Sequence, residues 1–452
     1  MSASPRAAGR RQSLAPLGVL LLLVVAAVSL QMRDHPQMSP IDELVHADYM
    51  IKMAHLELPR GGSLVGGEIL REDACRRAPE IPDFRAPACS APVLRPRDFV
   101  SQAGGYNSAA GLHPPTYYLA TGLVARVLVT LTPIHSMVTA GRAVGILWLG
   151  GGVLLLWLAL AELGVRPLAR LIAAAPVVVT PVILTTNAFI TNDATSMLVG
   201  AGLLLATLRW ERARGPAWLV VGISVLAGAT KVTNLFGVAA LAVYLVVRAV
   251  GRDPRSLAPV DAPSRSRRQG IVLAVAMVGA GLATSVGWLI IAKGMAIPGH
   301  PPNPIDSMLH ADHMTTQQLL AELTAALSPL GNGPILGPLA GHEIFVELAR
   351  VLGLLAIGAC VAAAAAAPAG SRREAIGLSG ALLMAITGPA IVVISHYTSH
   401  TYFPVPARYG LVLVPLLVAA LGFLLDKPVI RVLVGTFSAV TVTFTVVRLV
   451  TG

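Results

Sequence analysis

The stretch Leu14 to Gln31, LAPLGVLLLLVVAAVSLQ, carries no charge over a length that crosses a bilayer. Directly behind it, Met32 to about Thr139 is mostly polar, with acids, histidines, tyrosines, prolines and two cysteines. An apolar anchor followed at once by a long polar loop marks a membrane protein that places chemistry at one membrane face. Leu14–Gln31 lacks a small-residue cleavage site and is followed by further spans, so it reads as an anchor and not as a removed leader.

The rest of the chain agrees. Of 452 residues, 55% are hydrophobic and only 13% charged, which excludes an ordinary soluble domain. Apolar windows recur at 141–162, 171–187, 194–209, 216–230, 234–250, 271–292, 344–366, 375–395, 411–425 and 429–449; with 14–31 they make eleven. The expected fold is therefore all-α and polytopic, with about eleven transmembrane helices and interfacial helices in a large first extracytoplasmic loop, 32–139. Residues 1–250 form a first membrane module. Residues 251–269, rich in Pro, Arg and Ser, read as a cytoplasmic linker, and 270–452 form a second module with its own outward loop, 293–343.

The net charge of +11 does not point to nucleic acid, because the basic residues sit in short loops. Arg6, Arg10 and Arg11 precede the first span; Arg166/Arg170, Arg209/Arg212/Arg214, Arg252 to Arg268 and Arg372/Arg373 follow later ones. Positive loops face the cytoplasm. For all of them to do so, Thr116–Leu131, with Arg126 near its centre and Pro133 behind it, must lie in the outer interface and not cross. The long first loop, the turns at Asp193 and Lys231, and segments 293–343 and 396–410 then all face outward.

Several outward residues carry chemistry. In Ser39-Pro40-Ile41-Asp42-Glu43, Ser39 suits an N-cap and Pro40 the first helical position. Asp42, His46 and Tyr49 then share a face at helical spacing. A carboxylate there also serves as a cap, and spacing alone does not separate catalysis from capping. His113-Pro114-Pro115-Thr116-Tyr117-Tyr118 enters the interfacial helix, where tyrosines suit the headgroup level. Asp193 follows an apolar run and can be a cap. Lys231 and Arg408 are cations on the side where cations are disfavoured, which fits either a phosphate ligand or an anchor on lipid phosphate. Cys75 and Cys89 lie in the outward loop and are expected to be bridged, whereas Cys360 reads as packing. Asp306, His310, Asp312 and His313 are of metal-binding type but match no specific site. Thr315 to Gln318 can cap a short amphipathic helix through Leu327.

Taken in order, this set resembles the GT-C superfamily, integral membrane glycosyltransferases that use polyprenyl-phosphate sugars. Within it the chain is similar to a bacterial multi-pass branch related to protein mannosyltransferases and lipid A aminoarabinose transferases. Ile41-Asp42-Glu43-Leu44 stands where a proline-flanked Asp-Glu is more usual, and Ala407 precedes Arg408 where this branch tends to have glycine. The resemblance implies inverting transfer at the outer face of a bacterial plasma membrane. Asp42, or else Glu43, would take the proton of an acceptor hydroxyl, and Asp193 would orient acceptor or metal. Lys231 and Arg408 would hold the donor phosphate, with His46, Tyr49, His113, Tyr117 and Tyr409 around the substrates. The implied partners are a polyprenyl-phosphate sugar, a glycan, lipid or protein acceptor from the envelope, and the bilayer; a divalent cation is left open. Two other readings use the same donor: a non-catalytic binder, flippase or transporter of lipid-linked sugar, and a ligase or polymerase of envelope glycans.

Overall fold

The computed structural model describes residues 5–39, 42–76, 88–92, 105–251, 264–299, 310–311, 313–326, 330 and 343–451. Their regular elements are all helical, with two isolated β-bridges, Leu64–Tyr106 and His310–Thr401. In chain order the helices are α1 (Pro5–Asp34), α2 (Glu43–Ala54), α3 (Gly67–Arg76), α4 (Thr116–Leu131), α5 (Met137–Glu162), α6 (Pro167–Val178), α7 (Pro181–Ala188) and α8 (Ser196–Glu211). Then come α9 (Ala217–Thr230), α10 (Leu235–Val250), α11 (Arg267–Met295), α12 (Thr316–Ala326), α13 (Glu343–Ala366), α14 (Arg372–Ser399), α15 (Val414–Leu424) and α16 (Pro428–Thr451).

Eight of the described helical segments are long and apolar enough to cross a membrane, so the chain has the make-up of a multi-pass membrane protein. The pair α6–α7, bent by 68° at its break, would make a ninth. The bend has a covalent cause. Pro181 has no N–H to give the helix and forces Thr180 before it into an extended conformation (φ −68°, ψ 147°). The sequence reading counted eleven spans. The difference lies in α8 and α9, which have 16 and 14 residues, short of the roughly 20 of a typical crossing.

The bundle has two chemically different ends. At one, the Arg142 guanidinium donates to the carbonyls of His35 (2.9 Å) and Gln37 (2.5 Å), and Arg76 donates to the Ser136 hydroxyl at 2.9 Å. The chain thus leaves α1 and enters α5 at the same end. Arg126, near the centre of α4, donates to the last carbonyl of α2, Ala54, at 3.0 Å. At the opposite end, Glu162 accepts from Arg212 at 2.8 Å, and buried Glu211 accepts from Tyr244 and Arg372, both at 2.9 Å, and from Arg248. The Arg372 contact joins α8 to α14, and α10 packs along α11. Most of the 251–269 linker, residues 252–263, lies outside the described residues.

Close backbone approach fixes the segments that matter for the site. A Cβ on Gly145 of α5 would collide with the Asn187 carbonyl of α7, and one on Gly200 of α8 with the Val412 carbonyl. Glycine at these two points lets the α7–α8 break and the 407–413 segment sit against their neighbours. In the first loop Cys75 and Cys89 form the expected disulfide. Arg71 supports it, donating to the carbonyls of Cys89 and Ala91 at 2.7 Å each. Ahead of α12, Thr315 and Gln318 form a reciprocal cap (3.2 and 2.8 Å). Of the second loop's Asp/His set, Asp306 and Asp312 lie outside the described residues. Among the described residues no group of three or more His, Cys, Asp or Glu side chains could hold a metal ion.

Candidate functional site

Two helix breaks and two loop segments converge at the first of these ends. Between α7 and α8 the chain takes a 3-10 turn over Asn192–Thr195, and between α9 and α10 another over Val232–Asn234. Asparagines lace the two breaks together. Asn192 donates to the Thr230 carbonyl (3.2 Å), while Asn234 accepts from the Ser196 hydroxyl (2.8 Å) and donates to that of Thr195 (3.3 Å). Non-helical backbone at membrane depth survives only where its polar groups find such partners. The consequence is that Asp193 and Lys231, 38 residues apart in sequence, meet in a direct ion pair.

A second cation joins them from the segment ahead of α15. Arg408 Nε lies 3.3 Å from Asp193 Oδ2, and its Nη2 donates to Asp42 Oδ2 at 3.3 Å. The Tyr409 ring lies beneath both cations, 4.4 Å from Lys231 Nζ and 5.7 Å from the Arg408 guanidinium carbon. Asp42, Asp193, Lys231, Arg408 and Tyr409 thus form one connected cluster.

The two carboxylates are not equivalent. The side chain of Asp193 is 1% exposed and that of Asp42 is 50% exposed. Burial alone would push the Asp193 carboxyl up, but Lys231 and Arg408 outweigh it and hold it below the usual carboxylate range. Burial brings the Lys231 ammonium down to about 8, against the opposing pull of Asp193. Asp42 has no side-chain cap bond, although it occupies the N-cap of α2, and its backbone is left-handed at φ 58°. Aspartate is among the few residues that tolerate this conformation. Ser39 was expected as that cap with Pro40 opening the helix. Instead α2 begins at Glu43, because the left-handed turn at Asp42 stops the helix from extending backward; Pro40 and Ile41 lie outside the described residues.

Glu43 points elsewhere. It is 1% exposed and accepts from Arg142 Nε (2.8 Å) and Nη2 (2.7 Å), from Ser39 N (2.7 Å) and from Ile190 N (3.0 Å). With both oxygens engaged it has no free lone pair for an acceptor hydroxyl, so its place is structural. It ties the start of α2 to the chain just ahead of Asn192–Asp193.

Behind Asp42, one face of α2 carries His46 and Tyr49 into a ring stack with Tyr118, His46 at 5.8 Å and Tyr49 at 4.0 Å. His46 also stacks on His113 at 5.4 Å, and its Nδ1 lies 2.6 Å from the Tyr118 hydroxyl. Tyr49 donates to the His113 carbonyl at 3.2 Å. Burial first, then Lys231 and Arg408, brings the His46 imidazole down to about 3; burial, His46 and Lys231 lower His113 as well. Both histidines are therefore neutral at pH 7, able to give and accept hydrogen bonds but not to act as phosphate-binding cations.

An apolar cavity of about 600 Å³ adjoins the cluster, with His113, Lys231 and Tyr409 in its wall. Its other walls are mostly aliphatic and aromatic, among them Phe236 of α10, Leu282 of α11 and Ile391 of α14, with the hydroxyls of Thr233, Ser285 and Ser395 between them. His113 lines this cavity as expected for a substrate-facing residue. Tyr117 does not: it is packed behind Tyr118 (5.1 Å) and against Trp148 (6.0 Å). Sequence reasoning missed Arg142, the partner of Glu43. Its signal was present, since an arginine within the first turns of an otherwise apolar helix needs a partner. It likewise passed over Tyr118 as a partner of His46.

Comparison with family models, with curated proteins and with solved structures returns no match for this chain.

Proposed function

We propose that this chain is a membrane glycosyltransferase that moves a sugar from a polyprenyl-phosphate donor to a hydroxyl acceptor, with inversion at the anomeric carbon. The observation that carries the reading is the pairing of one half-exposed carboxylate, Asp42, with a buried Asp193–Lys231–Arg408 cluster beside an apolar cavity. Such a cavity suits an isoprenoid chain, and Lys231 in its wall is placed to meet the attached phosphate.

Asp42 is the only one of the three nearby carboxylates (Asp42, Glu43, Asp193) with exposed oxygens. It removes the proton from the acceptor hydroxyl as that oxygen attacks the anomeric carbon. Such a base contributes roughly 10²–10⁴-fold. The bond from the anomeric carbon to the phosphate oxygen breaks with its electron pair, and the carrier phosphate gains negative charge. Lys231 and Arg408 stabilise that charge. Asp193 aims both cations, and Tyr409 supports them from below. The neutral His46 and His113 can hydrogen-bond sugar or acceptor without competing for the phosphate.

Orientation belongs to the same proposal. Helices α8 and α9 are short, yet they connect the end that holds Asp193 and Lys231 to the end that holds Glu162, Arg212 and Trp210. Counting them with α6–α7 gives the eleven crossings read from the sequence. Among the described residues, the basic loops at 166–170, 209–214, 264–268 and 372–373 gather at the end away from the cluster, so the positive-inside rule supports a site facing outward from a bacterial plasma membrane, with α4 in the outer interface.

The test incubates purified protein with a panel of polyprenyl-phosphate sugars and follows release of the lipid carrier. Donor-dependent release that Asp42→Asn abolishes supports the reading. Donor binding without release from any member overturns it, in favour of a binder or flippase of lipid-linked sugar.

A further inference from the structure

At the end of the bundle away from the carboxylate–cation cluster lies a second cavity, of about 500 Å³, between α9 and α11. Its floor is aliphatic, with Val221 from α9 and Val272 and Ala276 from α11. Its rim is Trp218, Arg265 and Arg268. The sequence dictates this arrangement. Pro216 precedes α9, so Trp218 projects from its first turn and is 72% exposed. Ser266 and Gln269 form a capping box that starts α11, which puts Arg268 in the first turn with Val272 one turn below it. Arg265, just ahead of the cap, is fastened by its Nε to the Trp210 carbonyl at 3.3 Å, with its guanidinium 5.7 Å over the Trp210 ring. That contact engages Nε and leaves the two terminal nitrogens without a carboxylate among the described residues. Neither Arg265 nor Arg268 forms an ion pair with a described residue.

Two features point to an anionic occupant. First, the opening turn of α11 contains Arg267 and Arg268 and no acid. A helix N-terminus carries partial positive charge and favours anions, so two arginines there are unfavourable until a negative group joins them. Second, exposed aliphatic residues extend along the two helices beyond the floor, Val225 and Leu226 on α9 and Val275 and Val286 on α11. An exposed tryptophan above such a surface marks the headgroup level of a membrane. An acyl chain on the floor with its phosphate among the arginines satisfies both features at once.

We infer that the α9–α11 groove is a binding site for an anionic phospholipid of the surrounding bilayer, its phosphate held by Arg265 and Arg268 and one acyl chain lying on Val221, Val272 and Ala276. Basic pockets between membrane helices recognise lipid headgroups in this way, at about fivefold in affinity for each arginine near the surface.

The experiment is fluorescence quenching by brominated lipid in vesicles holding the full-length protein. The vesicles are phosphatidylcholine with about a tenth of either brominated phosphatidylglycerol or brominated phosphatidylcholine. The chain has five tryptophans, so Trp218→Phe isolates the contribution of Trp218. Brominated phosphatidylglycerol is expected to quench that component as if enriched about fivefold or more over brominated phosphatidylcholine. Arg265→Gln/Arg268→Gln should make the two lipids equal. If the double variant does not reconstitute, the exposed Arg268→Gln alone must reduce the preference. Equal quenching by the two lipids in the unmodified protein overturns the site, as does a preference untouched by these substitutions. A preference erased by inorganic phosphate, but not by chloride at the same ionic strength, assigns the groove to free phosphate and overturns the lipid.

Discussion

Asp42 and Glu43 are adjacent in sequence and chemically alike, yet isosteric amides at the two positions should have opposite effects. In Glu43→Gln, the Arg142 guanidinium, which is 2% exposed, loses its only described carboxylate. One glutamine oxygen cannot replace two, and the new NH₂ meets at least one of the N–H donors that now converge on Glu43. Breaking a buried pair in this way costs about 3–5 kcal/mol. With an unfolding entropy of roughly 2.1 cal/mol/K per residue, a chain of this length loses about 1 °C per kcal/mol, so Glu43→Gln should melt about 3–5 °C lower. Asp42→Asn loses one 3.3 Å contact from a half-exposed carboxylate, worth about 0–1 kcal/mol, and asparagine tolerates the left-handed backbone as well as aspartate does. Its melting point should hold to within about 1 °C, while carrier release falls by roughly 10²–10⁴-fold. The assay is thermal unfolding of detergent-purified protein beside the carrier-release reaction, with the exposed pair variant Arg350→Ala as a surface control. Normal turnover by Asp42→Asn, or a Glu43→Gln variant as stable as that control, would refute the division of roles.

Lys231 gives a pH signature. With its ammonium near 8, the cation is present below that pH and is lost above it, so donor affinity should fall as pH rises through about 8. Lys231→Arg, protonated throughout, should remove the inflection, and a pH-independent Kd in the unmodified protein would exclude Lys231 from the phosphate site. Lys231→Ala or Arg408→Ala should weaken donor binding by roughly 10–150-fold, since a hydrogen bond to a charged group contributes about 1.5–3 kcal/mol; titration calorimetry with donor measures it. Reducing Cys75–Cys89, which closes a loop of sequence separation 14, should cost about 3 kcal/mol, seen as a lower melting point with reductant than without. A cysteine introduced beside Asp193 should react with impermeant reagents from outside intact cells, and labelling confined to broken cells would reverse the orientation.

Much of this arrangement was legible in the sequence because bilayers impose coarse rules. Uncharged runs of spanning length marked the helices, and the arginine-rich loops separated one end from the other before any contact was known. The same rules kept Thr116–Leu131 from being counted as a crossing, and the Arg76–Ser136 and Arg142–His35 contacts hold the end of α1, the end of α3 and the start of α5 together at one end of the bundle. Length was read less well. The windows at 194–209 and 216–230 ignore the 3-10 turns that shorten α8 and α9, and those turns exist only because Asn192, Asn234, Thr195, Ser196 and Thr230 satisfy one another across two breaks. No local pattern announces such pairing.

The site shows where local reading stops. Asp42, His46 and Tyr49 could be placed on one face from their spacing, and Lys231 and Arg408 stood out because cations are disfavoured at that end. What spacing could not supply was the difference between Asp42 and Glu43, which depends on Arg142, 99 residues from Glu43. A carboxylate tied to a buried guanidinium and two backbone N–H groups is locked in one place and cannot act on a substrate. A carboxylate held by one exposed contact in a left-handed turn is free to do so. The bidentate pair is what permits this, since it secures the start of α2 and the chain at Ile190 together, leaving Asp42 to face Arg408 without having to hold the helix end itself. Glu43→Leu with Arg142→Met leaves no buried charge, but it strands the Ser39 and Ile190 N–H groups and the His35 and Gln37 carbonyls; thermal unfolding should therefore show it recovering only the part of the stability that the unpaired charge costs in either single change, and remaining below the unmodified protein.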